Sequence, residues 1–386
     1  MRAVIAQLPA SKIREVANAG LGRGDVLAFW FGESDEVTPS FVREAAAESL
    51  ARGETFYAHN LGLPELREAI ARYVSSMHRE VPGARIAVTS SGVSGLMIAM
   101  QALAGAGEEV VVVVPVWPNL TAQPAILGAE VKRFALHVRD GAWQLDLPAL
   151  LATVTERTRV LLVNAPNNPT GWTLTREEQR AILAHCRRTG TWIVADEVYE
   201  RLWFGPGDGP CPAAPSFADI AEPEDRLVIA HSFSKSFLMT GWRLGWLVAP
   251  AELMDALGKL IEFNTSCAPV FVQRGGLAAL AQAETFVPGL VARMRVCRDT
   301  LLPRLAALPE VTVAPPMGGM YAFFRVEGED DSLAFAKRLV ADGGLGLAPG
   351  AAFGGEAEGW LRWCFASRDP ARLVQGVERL AGALRL

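Results

Sequence analysis

Lys235 stands between two serines in His231-Ser232-Phe233-Ser234-Lys235-Ser236, directly after an apolar run, Leu227–Ala230. Arg243 follows at the entry to a second such run, Leu244–Val248. A lysine amine at a strand end can condense with a carbonyl cofactor. The Ser232 and Ser234 hydroxyls and the Arg243 guanidinium can hold a phosphate, although an arginine there also serves in ordinary ion pairs. Ser90-Ser91-Gly92-Val93-Ser94-Gly95 links the run Ile86–Thr89 to a helical pattern, Gly95–Ala104. The free backbone N–H groups of Ser91, Gly92 and Val93 and the helix dipole favour an anion at that turn; many Gly/Ser turns hold none. Asp196 closes the run Trp192–Ala195. A carboxylate there can keep a pyridine nitrogen protonated, or simply cap a helix. Tyr199 can donate to a ring oxygen or sit half-buried with a solvated hydroxyl. Trp117, just past Val110–Val114, can cover the face of a flat ring or pack in the interior. Arg362 alternates with Leu361 and Trp363 in an apolar strand-like run. Burying an unpaired guanidinium is costly, and its planar fork suits a carboxylate. Amine, phosphate cradle, ring-nitrogen partner, stacking surface and carboxylate clamp are the parts that a lysine-bound aldehyde cofactor needs.

These residues sit where strands end. The β-rich runs Ile86–Thr89, Val110–Val114, Val160–Val163, Trp192–Ala195, Leu227–Ala230 and Leu244–Val248 are separated mostly by helical patterns such as Gly95–Ala104 and Arg176–Arg188. Continuous apolar strands between helices predict an α/β domain, a mostly parallel sheet with helices on both faces. Its chemistry belongs at the carboxyl ends of the strands. Thr38-Pro39-Ser40 predicts a helix start capped by Thr38, with Pro39 as first helical residue. A helix follows over Pro64–Val74. From about residue 281 the pattern becomes helix Phe286–Ala307, strands Val311–Ala314 and Tyr321–Val326, helix Leu333–Asp342, strand Trp360–Phe365 and helix Pro370–Arg385. This predicts a smaller α+β domain of residues 281–386 that recruits residues 1–43, beside a large domain of residues 44–280. Gly205–Pro215 reads as a surface loop.

The segment from His231 to Trp246 resembles the cofactor-lysine segment of fold-type I pyridoxal-phosphate enzymes of the class I/II aminotransferase family. The resemblance runs in order from about Val26 to Arg385. It implies the seven-stranded type of sheet and pyridoxal 5′-phosphate bound through Lys235. Activity like that of aspartate aminotransferases is implied as well. An amino group moves from an L-amino acid to a 2-oxo acid in ping-pong fashion, and Lys235 shuttles the proton. The element Asn167-Asn168-Pro169-Thr170-Gly171 places Asn168 beside the cofactor ring and the substrate. Trp117 would meet both, and the backbone of Gly32 and the Arg362 guanidinium would hold the substrate carboxylate. Tyr57 matches a residue that reaches a neighbouring subunit's phosphate, so a homodimer with shared sites is implied. Ser91 departs from the pattern, standing where glycine is frequent. The same scaffold also supports lyases, including carbon–sulfur β-lyases, and decarboxylases. Pyridoxal-phosphate-sensing regulators carry a DNA-binding domain in front, and the pattern here begins too early to leave room for one. No second basic residue can be placed opposite Arg362, so a dicarboxylate substrate is not secured by sequence.

The chain has 386 residues, 50% apolar and 20% charged, with a formal charge of −5. That balance suits a two-domain globular protein and gives no reason to expect nucleic-acid or polybasic membrane binding. No signal-peptide pattern opens the chain, and the apolar runs are too short to span a bilayer, so a cytoplasmic setting is expected. Cys186, Cys211, Cys267, Cys297 and Cys364 are scattered, without metal-ligand spacing, and read as buried thiols. The histidines share no ligand spacing, and His231 reads as a packing residue. Two decoys fail on context. Ser232-Phe233-Ser234-Lys235 lacks the Lys-Thr-Gly partner of penicillin-recognising enzymes. Gly20-Leu21-Gly22-Arg23-Gly24 follows no strand.

Overall fold

The structure, a computed structural model, describes residues 1–205 and 213–385. Most of the expected loop Gly205–Pro215, with Cys211, lies outside the described residues. Seven strands form the main sheet: β1 (Ile86–Thr89), β2 (Glu109–Val114), β3 (Glu130–Ala135), β4 (Thr158–Asn164), β5 (Trp192–Asp196), β6 (Leu227–Ser232) and β7 (Gly245–Val248). Their order is β1-β7-β6-β5-β4-β2-β3. The pairings from β6 through β3 are parallel, and β7 runs antiparallel to both of its neighbours. The valines of β2 show why its run is unbroken. Val111 and Val113 enter one apolar cluster, while Val110, Val112 and Val114 enter another on the opposite face. A strand covered on both sides has no use for polar alternation.

The helices that matter for the site are α1 (Lys12–Ala19), α2 (Ser40–Ala51), α3 (Pro64–Met77), α4 (Gly92–Leu103), α5 (Arg176–Thr189), α6 (Ala283–Ala306), α7 (Ser332–Ala341) and α8 (Ala371–Ala383). A second sheet contains β8 (Val311–Ala314), β9 (Tyr321–Val326), β10 (Ala348–Pro349) and β11 (Trp360–Cys364), in the order β8-β9-β11-β10. Its apolar cluster includes Ile13 and Val16 of α1 and Leu339 of α7. Leu27–Ala28 pairs in parallel with Leu345–Gly346, which ties the N-terminal segment to the chain just before β10. Helix α6 links the clusters: Ala283 and Val287 belong to the main one, and Leu290 onward to the second.

Three local expectations need correction. Helix α2 starts at Ser40 with Pro39 in the capping position, and Thr38 caps nothing. Its hydroxyl is committed elsewhere, donating to Leu238 O and accepting from Trp242 Nε1. Helix α4 begins at Gly92, three residues before the expected Gly95, because the Ser91 side chain captures the Ser94 N–H. Of the thiols, Cys186, Cys297 and Cys364 are buried, but Cys267 is only half-buried. Among the described residues no helix is long and apolar enough to cross a membrane.

Candidate active site

At the carboxyl ends of β4, β5 and β6 lies a cavity of about 600 Å³, bordered on the other side by α1 and the second sheet. Its lining brings together Gly32, Gly92, Val93, Trp117, Asn168, Asp196, Tyr199, Ser232, Ser234, Lys235, Arg243 and Arg362, residues that are far apart in sequence. Two expected residues stand apart. Ser91 is buried behind the wall as the cap of α4. Tyr57 is 89% exposed and far from burial in this single chain.

The end of the cavity at the start of α4 is built by close approach. Thr89 Oγ1 donates to Ser91 O (2.8 Å), and Ser91 takes φ 123°, a conformation that favours glycine. That backbone preference accounts for glycine in the resembling pattern. A Cβ on Gly245 would lie 2.5 Å from Gly92 N, so only glycine lets β7 pass beneath the turn. Ser234 N donates to Ser232 Oγ (3.1 Å), and the two hydroxyls are 2.9 Å apart. Arg243, at φ 53°, donates to Thr240 O (2.6 Å) and lies 3.4 Å from Ser234 Oγ. Backbone donors, two hydroxyls and a guanidinium thus border one end of the cavity.

Lys235 Nζ donates to Gly32 O at 2.7 Å. Burial lowers the amine from its ordinary value to about 8, so a neutral, nucleophilic fraction is present near neutrality. Asp196 lies in the floor, where burial pushes its carboxyl up to about 7. Among the described residues its one hydrogen bond is weak, from Val198 N at 3.4 Å. A cation placed against it would favour its ionised form. Tyr199 OH lies 2.7 Å from Tyr321 OH, and Asn168 Nδ2 reaches Tyr199 OH at 3.5 Å.

Arg362 comes from β11. Its guanidinium donates to Asn168 Oδ1 (2.8 Å) and Trp30 O (2.5 Å), and lies 4.4 Å from the Tyr321 ring centre. It is buried with Nε unpartnered and makes no ion pair among the described residues. A buried cation without a counter-ion beside a cavity is suited to an incoming carboxylate.

Sequence reasoning missed Arg14 and Tyr321. Arg14, on α1, lines the cavity with its guanidinium 5.4 Å from the Phe31 ring centre. Tyr321 opens β9 and fills the space beside Gly32, where a Cβ would meet its hydroxyl at 2.1 Å. The only local signal for Tyr321 was the Gly318-Gly319 turn before the strand. Arg14 gave none, since basic residues on a polar helix face are common.

A family model for aminotransferase class I and II matches residues 25–380. A probable aspartate/prephenate aminotransferase of Aquifex aeolicus is 33% identical over 97% of this chain and 94% of its own length. The structure of aspartate aminotransferase from Thermotoga maritima superimposes with a TM-score of 0.91 at 31% identity, covering 100% of both chains. A Thermus thermophilus aspartate aminotransferase solved with maleate gives 0.89 at 30% identity, over 99% of this chain and 100% of the other. The chain whose cavity brings the buried lysine and the unpaired Arg362 together therefore belongs to the class I and II aminotransferase family.

Proposed function

We propose that this transaminase uses pyridoxal 5′-phosphate on Lys235 to move the amino group of a dicarboxylic L-amino acid, of the aspartate type, to a 2-oxo acid. The residues fit that cofactor. The buried, underbonded Asp196 carboxylate matches its ring nitrogen, and the Gly92–Val93 turn with Ser232, Ser234 and Arg243 matches its phosphate. Trp117 lines the cavity to cover the ring, and Tyr199 and Asn168 offer hydrogen bonds to its oxygen. The bound cofactor supplies an electron sink for the bond broken at the substrate Cα.

The protein's own groups do the rest. Arg362 and the Gly32 backbone orient the α-carboxylate, which fixes Cα against Lys235. The amine, once free, would take the proton from Cα and deliver it to the cofactor's aldehyde carbon, on the other side of the substrate nitrogen, a task suited to a base with its affinity near pH 8. Tyr199 and Tyr321, whose hydroxyls burial pushes upward, stay protonated and act as donors. Ile13, Phe31 and Leu96 on the lining help exclude water.

The observation that carries the dicarboxylate reading is Arg14, a second guanidinium on the same cavity as Arg362. The relative solved with maleate, itself a dicarboxylate, supports it. The same reading assigns the cofactor to a large domain, residues 44–280. Residues 1–43 and 281–386 form a small domain that borders it, and two copies share their sites in the cytoplasm. The test is direct. Purified protein with the cofactor should show a visible band that Lys235→Ala abolishes together with activity. Aspartate and glutamate should exceed neutral amino acids, and Arg14→Ala should raise KM for them about tenfold while leaving neutral substrates alone, the size of one charged hydrogen bond. Normal turnover by Lys235→Ala would falsify the assignment.

A further inference from the structure

Behind the floor of the cavity lies a buried row of charges that the reaction above does not use. Residues alternate faces along β5 and β6. Asp196 therefore shares the cavity side with its cross-strand partner Ala230, while Glu197 and His231 turn to the other side. There His231 stacks on Trp246 of β7, ring centres 5.0 Å apart and 17° from parallel. Its Nδ1 is 3.3 Å from Glu200 Oε2, and the same oxygen is 3.5 Å from Nε2 of His78 at the end of α3. His78 Nδ1 is 2.8 Å from Asp219 Oδ1, and Arg176 of α5 pairs with Asp219. The row alternates in sign: Arg176, Asp219, His78, Glu200, His231 and, across the sheet, Asp196. The 3.3 and 3.5 Å contacts are ion pairs rather than well-formed hydrogen bonds, and both histidine side chains are 2% exposed.

We propose that His231 is a positioning residue for Asp196: held as a cation by Glu200, it keeps the Asp196 carboxylate ionised to receive a protonated pyridine nitrogen. This rests on the cofactor reading above. Several groups face His231. Glu197 and Glu200 come from the segment after β5, His78 from α3, and the indole of Trp246 from β7. Of these, Glu197 is held by Ser216 Oγ (2.5 Å) and Phe217 N (3.2 Å), and burial pushes it up to about 7. Glu200, between two imidazoles, is held well below the usual carboxylate range and is the firm anion of the group. His231 is accordingly raised, and its charge favours the ionised form of Asp196 more than that of any other side chain does. A neutral side chain at 231 would remove that support without touching the cavity lining, to which His231 does not belong.

The test compares dissociation constants for pyridoxal 5′-phosphate and its 1-deaza analogue, in which a C–H replaces the ring nitrogen. Lysine and phosphate contributions cancel in the ratio, and only the ring-nitrogen contact remains. The wild-type protein should prefer the natural cofactor. Asp196→Asn should abolish the preference, and His231→Gln should lower it about tenfold, the equivalent of one pK unit. Glu200→Gln, which removes the anion that charges His231, should lower it in the same direction and stands in if His231→Gln does not fold. An unchanged ratio in folded His231→Gln or Glu200→Gln protein would overturn the inference alone. Failure of the wild-type protein to bind either aldehyde would instead bring down the cofactor reading and this inference with it.

Discussion

At Lys235 the deciding quantity is how readily the amine loses its proton. Burial places that event near pH 8 rather than at the ordinary lysine value of 10.5. Only the neutral amine attacks an aldehyde. The rate at which cofactor-free protein captures pyridoxal 5′-phosphate should therefore climb with pH up to about 8 and then level off. Stopped-flow absorbance will show this, and a rate still climbing toward 10.5 would mean a solvated amine. Arg362 poses a different question, of shape rather than charge. Lysine at that position keeps the cation but lacks the planar fork whose two Nη atoms reach Asn168 Oδ1 and Trp30 O and can still face a substrate carboxylate. Arg362→Lys should lower kcat/KM for every amino acid by about ten- to a hundredfold, one or two charged hydrogen bonds. The loss should fall mostly in KM, as for a group that holds substrate throughout the reaction.

The proposed phosphate end depends on an element, the start of α4, and on one residue in a conformation that glycine prefers. Ser91 at φ 123° carries a backbone cost of about 1–3 kcal/mol, offset in part by its cap on Ser94 N. The two effects separate by substitution. Ser91→Ala keeps the strain and loses the cap, whereas Ser91→Gly loses the cap but relieves the strain. Ser91→Gly should be the more stable variant by about 1 kcal/mol in urea unfolding; the reverse order would mean that the turn is not strained. The same element shows the limits of reading sequence. The valine run of β2 and the aspartate closing β5 were legible because strand burial and strand ends are written in consecutive residues. So were most candidate groups of the site, since each follows such an end. The true start of α4 was not, because a side-chain cap shifts a helix without altering its periodicity. Thr38 read as a cap because its bonds to Leu238 and Trp242 come from distant segments. Arg14, Tyr321 and the His78–Glu200–His231 row were hidden for the same reason: each gains its role from partners on other elements.

For the molecule as a whole, the unplaced residue is Tyr57. It stands 89% exposed beside Phe56 at 84%, and Phe263 is 86% exposed. Rings so fully in water suit the proposed assembly, in which a second copy would cover them. The proposed assembly pairs two copies so that Tyr57 of each serves the other's phosphate cradle. A cyclic pair has two equivalent composite sites, each taking Lys235 from one chain and Tyr57 from the other. That geometry makes a prediction that no single-chain site shares. A Lys235→Ala homodimer has no reactive amine in either site, and a Tyr57→Ala homodimer lacks the cross-subunit contact in both. In a hybrid of one chain of each kind, one site combines both defects. The other combines the intact Lys235 of the Tyr57→Ala chain with the intact Tyr57 of the Lys235→Ala chain. At cofactor concentrations too low to saturate the Tyr57→Ala homodimer, tag-purified hybrid should regain about half the wild-type turnover per dimer. If each site were built within one chain, the hybrid would show only the weakened activity of its single Tyr57→Ala site.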